Sequence, residues 1–218
     1  MSRPSCSRCQ RPSDRCLCAL IPSLESHVQV LILQHPSEAR HALNTARLAA
    51  LGLRNAELRV GESFAPPADE LPSYLLFPAD DALAPSSLVA AGPLRLIVPD
   101  GTWRKARKLL YLNPWLAALP RVALPEGLAS RYRLRKAPEP GALATVEAIA
   151  TALNLLEGTQ RFDALLRPFD ALIDGQISAM GEELYRRQHP DAPGSRLRGG
   201  QKRPVSSGEG CRASPVTR

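Results

Sequence analysis

The chain has 218 residues, of which 44% are hydrophobic, and it carries 28 Lys and Arg against 21 Asp and Glu. This length suits one medium-sized domain with a small appendage, and the apolar content excludes a chain that is disordered throughout. No stretch of about 18 apolar residues is present, which excludes a membrane-spanning helix, and the first residues lack the apolar core of a secretory signal. These properties predict a cytoplasmic protein.

The net charge of +7 is unevenly distributed. Residues 1–18 contribute +3 and residues 191–218 contribute +4, so residues 19–190 sum to zero. Within that neutral stretch, however, residues 101–136 hold nine Lys and Arg against a single acid, Glu126. This local excess predicts a basic surface on the folded part of the chain, suited to a nucleic acid.

The amino-terminal region, residues 1–20, contains four cysteines in the pattern C-x2-C-x6-C-x-C: Cys6, Cys9, Cys16 and Cys18. Four thiols so close together in a cytosolic chain are typical of a tetrahedral Zn²⁺ site. Because four sulfur ligands leave no open coordination position, the predicted zinc is structural. The alternative is a reactive or disordered thiol segment.

Strand and helix patterns alternate through the middle region, residues 21–190. Strands are predicted at 28–34, 57–60, 73–77, 94–98 and 121–124. Helices are predicted at 36–51, 102–112 and 142–157, and residues 161–188 are predicted to form one long helix bent at Pro168 or two helices. This alternation predicts an α/β domain with a mostly parallel sheet flanked by helices. The Gly-, Pro-, Ser- and Arg-rich residues 191–218 are predicted to be a disordered basic tail.

Polar residues follow the first strand, from Gln34 to Glu38. Ligands in parallel α/β domains bind beyond the carboxyl ends of the strands, and a helix amino terminus can hold an anion. These rules make His35 a candidate functional residue. Alternatively, His35 and Glu38 only complement the helix dipole.

The segment after the strand at 94–98 combines a carboxylate with a basic helix. Asp100 stands where the buried strand ends, and Trp103 shares one helix face with apolar residues. A second face carries three cations and an aromatic ring: Arg104, Arg107, Lys108 and Tyr111. The pattern predicts a functional carboxylate beside an exposed cationic face. The alternative is an Asp cap, a core Trp and a solvated run of charges.

A third basic stretch covers residues 130–136. In an extended conformation Arg131, Arg133 and Arg135 would share one face, with Tyr132 on the other. Such a row of Arg with little acid nearby predicts phosphate binding, and Tyr132 could stack on a base. The alternative is an exposed basic edge strand. In the first turn of the next helix, Glu147 either contacts a ligand or only complements the helix dipole.

Taken together, these segments resemble the DTW-domain proteins. Asp100-Gly101-Thr102-Trp103 is similar to the D-x-T-W signature of that family. The accompanying pieces occur in the family's order: the cysteine knuckle, Gln34-His35-Pro36 with Glu38, Asn44-Thr45, Tyr132-Arg133-Leu134-Arg135-Lys136 and Leu143-Ala144-Thr145-Val146-Glu147-Ala148. A lone D-x-T-W motif would be weak evidence for the family. This ordered set of motifs spans residues 6–148 and is specific to it.

The resemblance implies a SPOUT-like α/β fold and the activity of a tRNA-uridine aminocarboxypropyltransferase. Such enzymes transfer the 3-amino-3-carboxypropyl group of S-adenosylmethionine to N3 of a tRNA uridine and release methylthioadenosine. The partners implied are therefore tRNA and S-adenosylmethionine, with Zn²⁺ as a structural ion. The implied organisation is a zinc knuckle at 1–20, a catalytic domain at 21–190 and a tail at 191–218. Ala144 departs from the Ser that relatives often have, but Thr145 follows it.

Three sets of site residues follow from the patterns and the resemblance combined. Asp100 is the expected catalytic base, with His35 in reserve. The expected contacts to S-adenosylmethionine are Thr102, Trp103, Arg135, Lys136, Thr145 and Glu147. The expected RNA contacts are Arg104, Arg107, Lys108, Arg131, Tyr132 and Arg133.

Three alternatives are compatible with the same residues, one of them the same reaction on a ribosomal RNA substrate. The other two change the function. A SPOUT-like RNA methyltransferase would keep the fold but add only a methyl group, so the mass of the product distinguishes it. A non-catalytic, zinc-containing RNA-binding factor would not consume S-adenosylmethionine with any RNA. The carboxylate of Asp100 argues against the non-catalytic factor, because phosphate binding has no use for it.

Overall fold

The computed structural model describes residues 4–89, 92–134 and 141–188. Five strands form one sheet in the order β2-β1-β4-β3-β5, and all four neighbouring pairs are parallel. The strands are β1 (Val28–Gln34), β2 (Ala56–Val60), β3 (Ser73–Leu76), β4 (Leu94–Asp100) and β5 (Arg121–Val122). The predicted α/β class with a parallel sheet is confirmed.

Helices cover both faces of this sheet, as the nearly continuous burial of β1 and β4 requires. The helices are α1 (Thr45–Gly52), α2 (Trp103–Leu112), α3 (Pro114–Ala117), α4 (Thr145–Glu157), α5 (Leu166–Met180) and α6 (Glu182–Gln188). Val30 and Ile32 face the core under α1, α4 and α5, whereas Leu31 and Leu33 face α2 and α3. Within the described ranges, no helix has the length and apolar character needed to cross a membrane.

The prediction of one helix over 36–51 is wrong. Residues Pro36–Glu38 form a single 3-10 turn, and α1 begins only at Thr45. The side chain of Asn44 explains the break, because its Oδ1 accepts a hydrogen bond from the Arg47 backbone N–H at 3.1 Å. Its Nδ2 donates to the carbonyl of Ala39 at 3.2 Å, which holds the intervening loop against the cap.

The carboxyl-terminal helices also break at a different place from the one predicted. Pro168 is the third residue of α5, in the first turn, where a missing N–H costs no helical hydrogen bond. The break lies instead at Gly181, whose φ of 88° ends α5 before α6 begins. The chain therefore turns at a glycine and not at the proline.

Residues 130–134 are not the extended strand that the alternating arginines suggested. The Arg133 N–H donates to the carbonyl of Arg131 at 2.9 Å, which closes a three-residue turn. The tail at 191–218 and the pair Arg135 and Lys136 lie outside the described residues.

The two central strands end side by side. β1 and β4 are neighbours, and Gln34 is the register partner of Asp100. From β1 the chain continues to β2 on one side, whereas from β4 it continues to β5 on the other. Such a switch point creates a crevice at the carboxyl edge of a parallel sheet.

Candidate active site

A cavity of about 650 Å³ lies at this carboxyl edge, a size typical of sites for small molecules. Its walls come from the loop after β1, the ends of β3 and β4, the start of α2, residues 130–134 and the start of α4. Five of the predicted site residues line it: Asp100, Thr102, Trp103, Tyr132 and Thr145. Segments that are far apart in sequence therefore meet around one volume.

Asp100 is a buried carboxylate at the wall of this cavity, with only 7% of its surface exposed. Its Oδ2 accepts a hydrogen bond from Gln34 Nε2 at 2.7 Å, and its Oδ1 accepts one from the Thr145 hydroxyl. Burial raises the pKa of Asp100, although these two hydrogen bonds oppose the shift. Each carboxylate oxygen retains a further lone pair, so the group can still accept a proton.

Gln34 and Asn44 orient the Asp100 carboxylate through a chain of hydrogen bonds. Gln34 is fully buried, and its Nε2 also donates to Asn44 Oδ1 at 3.0 Å. Because Asn44 in turn caps α1, the carboxylate of Asp100 is tied to the start of that helix. The sequence patterns placed Gln34 in the polar cluster after the first strand and both residues in the family resemblance, without a role for either. The signal for their role was a polar side chain that closes an otherwise apolar strand.

The remaining candidate base, His35, has both ring nitrogens within reach of protein groups. Its Nε2 lies 2.8 Å from a Glu62 carboxylate oxygen, and its Nδ1 lies 2.9 Å from the Ser37 hydroxyl. The lining of the cavity does not include His35. A catalytic role for His35 stays a prediction.

Glu147 is buried behind the cavity wall, with 4% of its surface exposed. Its Oε1 accepts from the Arg131 backbone N–H at 2.6 Å. Its Oε2 accepts from the Ser130 hydroxyl at 2.7 Å and from the Ala144 N–H at 2.8 Å. The carboxylate thus joins residues 130–134 to the start of α4. A direct contact from Glu147 to a ligand stays a prediction.

The expectation of little acid near the third basic stretch is wrong. Arg131 Nη1 lies 3.1 Å from Asp170 Oδ2, and Arg133 Nη2 lies 2.5 Å from Asp174 Oδ1. Both acids lie on α5, one turn apart, and reach the arginines only through the tertiary fold. Tyr132 between them stacks on Phe169, with ring centroids 5.8 Å apart.

The predicted basic face of α2 is present and exposed. Arg104 and Arg107 point to solvent and form no ion pair with any described residue. Lys108 is half-exposed and shares Glu62 with His35, its Nζ lying 2.8 Å from Glu62 Oε1. On the same helix, Trp103 packs edge to face against Phe77 at 5.6 Å and walls the cavity.

The four cysteines lie together as a metal site requires. Their sulfur atoms are all within 4.8 Å of one another, with Cys6 and Cys18 3.6 Å apart and Cys9 and Cys16 3.8 Å apart. Sulfurs at tetrahedral positions around Zn²⁺, with bonds of about 2.3 Å, are about 3.8 Å from one another. Disulfide bonding needs about 2 Å, so the cysteines are free thiols. This donor set fits zinc.

Protonation within the cluster agrees with this interpretation. Backbone N–H groups of Cys9 and Arg8 lower the pKa of Cys6 to about 6. Loss of hydration, together with hydrogen bonds among the thiols, raises the pKa of Cys18 to about 12. Because its neighbours make the Cys18 thiol hard to deprotonate, four thiolates at these distances need a cation to offset their repulsion. The cluster also packs through Leu17 and Ile21 against Leu48 of α1 and Leu172 of α5.

A second cavity, of about 540 Å³, lies at the opposite edge of the sheet, where Val28 and Leu94 begin their strands. Its charged residues Glu157 and Arg161 pair with each other. Parallel α/β domains rarely bind ligands at this edge. The cavity at the carboxyl edge is therefore the candidate active site.

Fold and site together define a parallel α/β domain with a cavity for a small molecule at its switch point and a four-cysteine cluster packed against α1 and α5. The DTW domain family matches residues 3–177. The chain therefore belongs to the DTW-domain family. No solved structure matches it.

Three similar proteins from different organisms are all named tRNA-uridine aminocarboxypropyltransferase, with a different final number or letter in one of them. The chain is 30% identical over 203 residues to tRNA-uridine aminocarboxypropyltransferase 2 of Macaca fascicularis, covering 86% of this chain and 68% of that one. It is 31% identical over 217 residues to the enzyme of that name in Drosophila melanogaster, covering 89% and 86% respectively. It is 29% identical over 196 residues to tRNA-uridine aminocarboxypropyltransferase A of Arabidopsis thaliana, covering 71% and 73%.

Proposed function

We propose that this chain is a tRNA-uridine aminocarboxypropyltransferase that uses S-adenosylmethionine as donor and modifies N3 of a uridine. The observation that carries the proposal is Asp100, a buried carboxylate with a raised pKa on the wall of a cavity sized for a small molecule. The names of the relatives supply the reaction class. Their reaction takes place on tRNA, so we propose the cytoplasm as the compartment.

The chemistry requires a base and careful positioning, but no metal at the reacting carbon. In the proposed step Asp100 takes the proton from N3 of the uridine, and N3 attacks the γ-carbon of the methionine moiety. The carbon–sulfur bond breaks with its electron pair on sulfur, and neutral methylthioadenosine leaves. A positioned general base contributes about 10²–10⁴-fold to such a rate. Placing the γ-carbon, and not the methyl group, against N3 is the task of the cavity walls.

The other predicted residues take supporting roles in this proposal. Thr102, Trp103 and Thr145 belong to the cavity lining and would contact S-adenosylmethionine there. Arg135, Lys136 or Arg47 would bind the carboxylate of S-adenosylmethionine. The first two of these are not among the described residues. Arg104, Arg107 and Lys108 would hold tRNA phosphates, with Arg131, Tyr132 and Arg133 closer to the cavity. The zinc knuckle at 1–20 would brace the catalytic domain at 21–190, followed by a basic tail at 191–218.

Asp100→Asn tests the proposal with little disturbance of the fold. The new amide can accept from Gln34 through its oxygen and donate to the Thr145 hydroxyl through its nitrogen, so both hydrogen bonds survive. We expect S-adenosylmethionine to bind within about threefold of wild type by calorimetry, while transfer to unmodified tRNA falls about 10²–10⁴-fold. Asp81→Asn, at an exposed carboxylate outside the cavity, is the matched control.

Nucleoside mass analysis of the tRNA distinguishes the outcomes. An aminocarboxypropyl adduct made by wild type and lost in Asp100→Asn supports the proposal. Near-normal turnover in Asp100→Asn would refute the assignment of the base. A methyl adduct would identify an RNA methyltransferase instead, and no consumption of S-adenosylmethionine with any tRNA would leave a non-catalytic RNA-binding factor.

A further inference from the structure

Tyr111 on α2 is unusually exposed for an aromatic residue. It leaves 84% of its surface in solvent, more than any other large hydrophobic residue in the described part of the chain. Single exposed apolar side chains are common and carry no meaning alone. The neighbours of Tyr111 are what make its exposure informative.

Three cations share the face of α2 that carries Tyr111. Arg104, Arg107 and Lys108 precede it by seven, four and three residues, which places all four side chains along one stripe of the helix. The opposite side of α2 buries Ala106, Leu109 and Leu110. The stripe is therefore held outward on a rigid element, with a flat aromatic ring at its end.

The stripe starts at the mouth of the cavity. Thr102 and Trp103 line the cavity, and Tyr111 lies eight residues beyond Trp103, or about 12 Å along the helix axis. An RNA strand that places its target base in the cavity and its phosphates on Arg104 and Arg107 would run along this helix. The ring of Tyr111 would then meet a nucleotide that flanks the target.

We propose that the exposed face of α2 is an RNA-docking surface, on which Tyr111 stacks against an unpaired base of the tRNA next to the modified uridine. This inference rests on the proposed function. A paired base has both of its faces covered by its neighbours, so only an unstacked nucleotide can present a face to the ring. Tyr132 is less suited to this role, because its own ring is stacked on Phe169. The docking surface therefore selects a uridine in a single-stranded loop.

Stacking and phosphate contacts differ in their salt dependence, which makes the proposal testable. Loss of one base stack weakens binding by about 5- to 150-fold without changing the salt slope, whereas loss of one phosphate contact lowers the slope by about 1. For Tyr111→Ala we therefore expect tRNA affinity to fall by about 5- to 150-fold, with the same dependence of affinity on salt concentration as wild type. Tyr111→Phe should bind nearly as wild type, because it keeps the ring. Arg107→Ala should show the shallower slope.

Fluorescence anisotropy with unmodified tRNA, at several salt concentrations, supplies these values. Arg54→Ala is the matched control, because it removes one exposed cation at the amino edge of the sheet, before β2 begins. Melting temperatures check that each variant is folded. A fully paired RNA duplex is the second ligand, and Tyr111→Ala should change its affinity less than about twofold.

The outcomes separate this inference from the proposed function. Tyr111→Ala binding tRNA within about twofold of wild type, or losing affinity equally for the duplex, would overturn the stacking surface even if wild type makes the product. Selective loss of tRNA binding in Tyr111→Ala supports the surface. If wild type then forms no aminocarboxypropyl product, the reaction is refuted and the docking surface stands.

Discussion

Glu147→Gln is the substitution that most directly tests how the cavity is held together. The side chain keeps its size and shape but loses one acceptor, because the carboxylate becomes an amide. In wild type all three partners of Glu147 donate: the Ser130 hydroxyl and the backbone N–H groups of Arg131 and Ala144. The amide NH₂ must therefore face at least one donor.

The size of the effect follows from the two ways in which the amide can sit. With its nitrogen at the Oε1 position it faces the Arg131 N–H, and at the Oε2 position it faces the Ala144 N–H, since the Ser130 hydroxyl can rotate to accept. Either way, one backbone N–H loses its charged partner. Such a bond contributes about 1.5–3 kcal/mol, and an unsatisfied buried donor costs about 1–3 kcal/mol. These contributions overlap, so we expect the free energy of unfolding to fall by about 2–4 kcal/mol.

Urea unfolding followed by circular dichroism measures this loss, and amide hydrogen exchange locates it. We expect faster exchange at Arg131 or Ala144, depending on the orientation of the amide. Glu183→Gln is the matched control, because Glu183 is exposed and, among the described side chains, pairs with Arg187 at 2.7 Å, an interaction worth less than about 1 kcal/mol. A loss below about 0.5 kcal/mol for Glu147→Gln, with exchange at both amides unchanged, would refute the reasoning.

Three further predictions concern the metal, the pH dependence of the transfer rate and the pH dependence of stability. Purified protein is expected to hold one Zn²⁺ per chain by elemental analysis, and Cys6→Ser to lose it and melt at a lower temperature; zinc-free wild type would contradict this. Because burial raises the pKa of Asp100, the transfer rate should fall as the pH drops through that pKa, above the usual range for Asp. A carboxyl with a higher pKa when folded lowers stability as the pH rises above about 4. In urea unfolding, Asp100→Asn should therefore be at least as stable as wild type at pH 7. Any gain in its free energy of unfolding should vanish near pH 3, where Asp100 is protonated in both states. A variant that is less stable than wild type at pH 7 would contradict this.

The elements that the sequence predicted well are those decided by local composition. The apolar runs at Val28–Gln34 and at 94–98 became the two central strands, the second of which extends to Asp100. The start of α1 was missed because it depends on Asn44, whose cap forms only when the preceding loop folds back on it. A Pro at the start of a plausible helix gave no sign of that loop.

Pairing between distant residues was the other limit. The sequence near Arg131 contains little acid, so its partner Asp170 on α5 appears only when the helix packs beside it. Likewise, the hydrogen bond from Gln34 to Asp100 joins residues 66 positions apart and depends on the strand order. Candidate residues could be named from patterns, but the hydrogen bonds that orient them could not.

The alignment of Gln34 with Asp100 decides where this chain can change in length. Successive side chains of a strand point to opposite faces, so one residue inserted within β1 would turn Gln34 away from Asp100 and exchange the two buried faces of the strand. The exposed turn at Asp80 and Asp81 has no such partner strand to match. Insertions and deletions between homologues should accordingly accumulate in turns of that kind, while the two central strands keep a fixed number of residues.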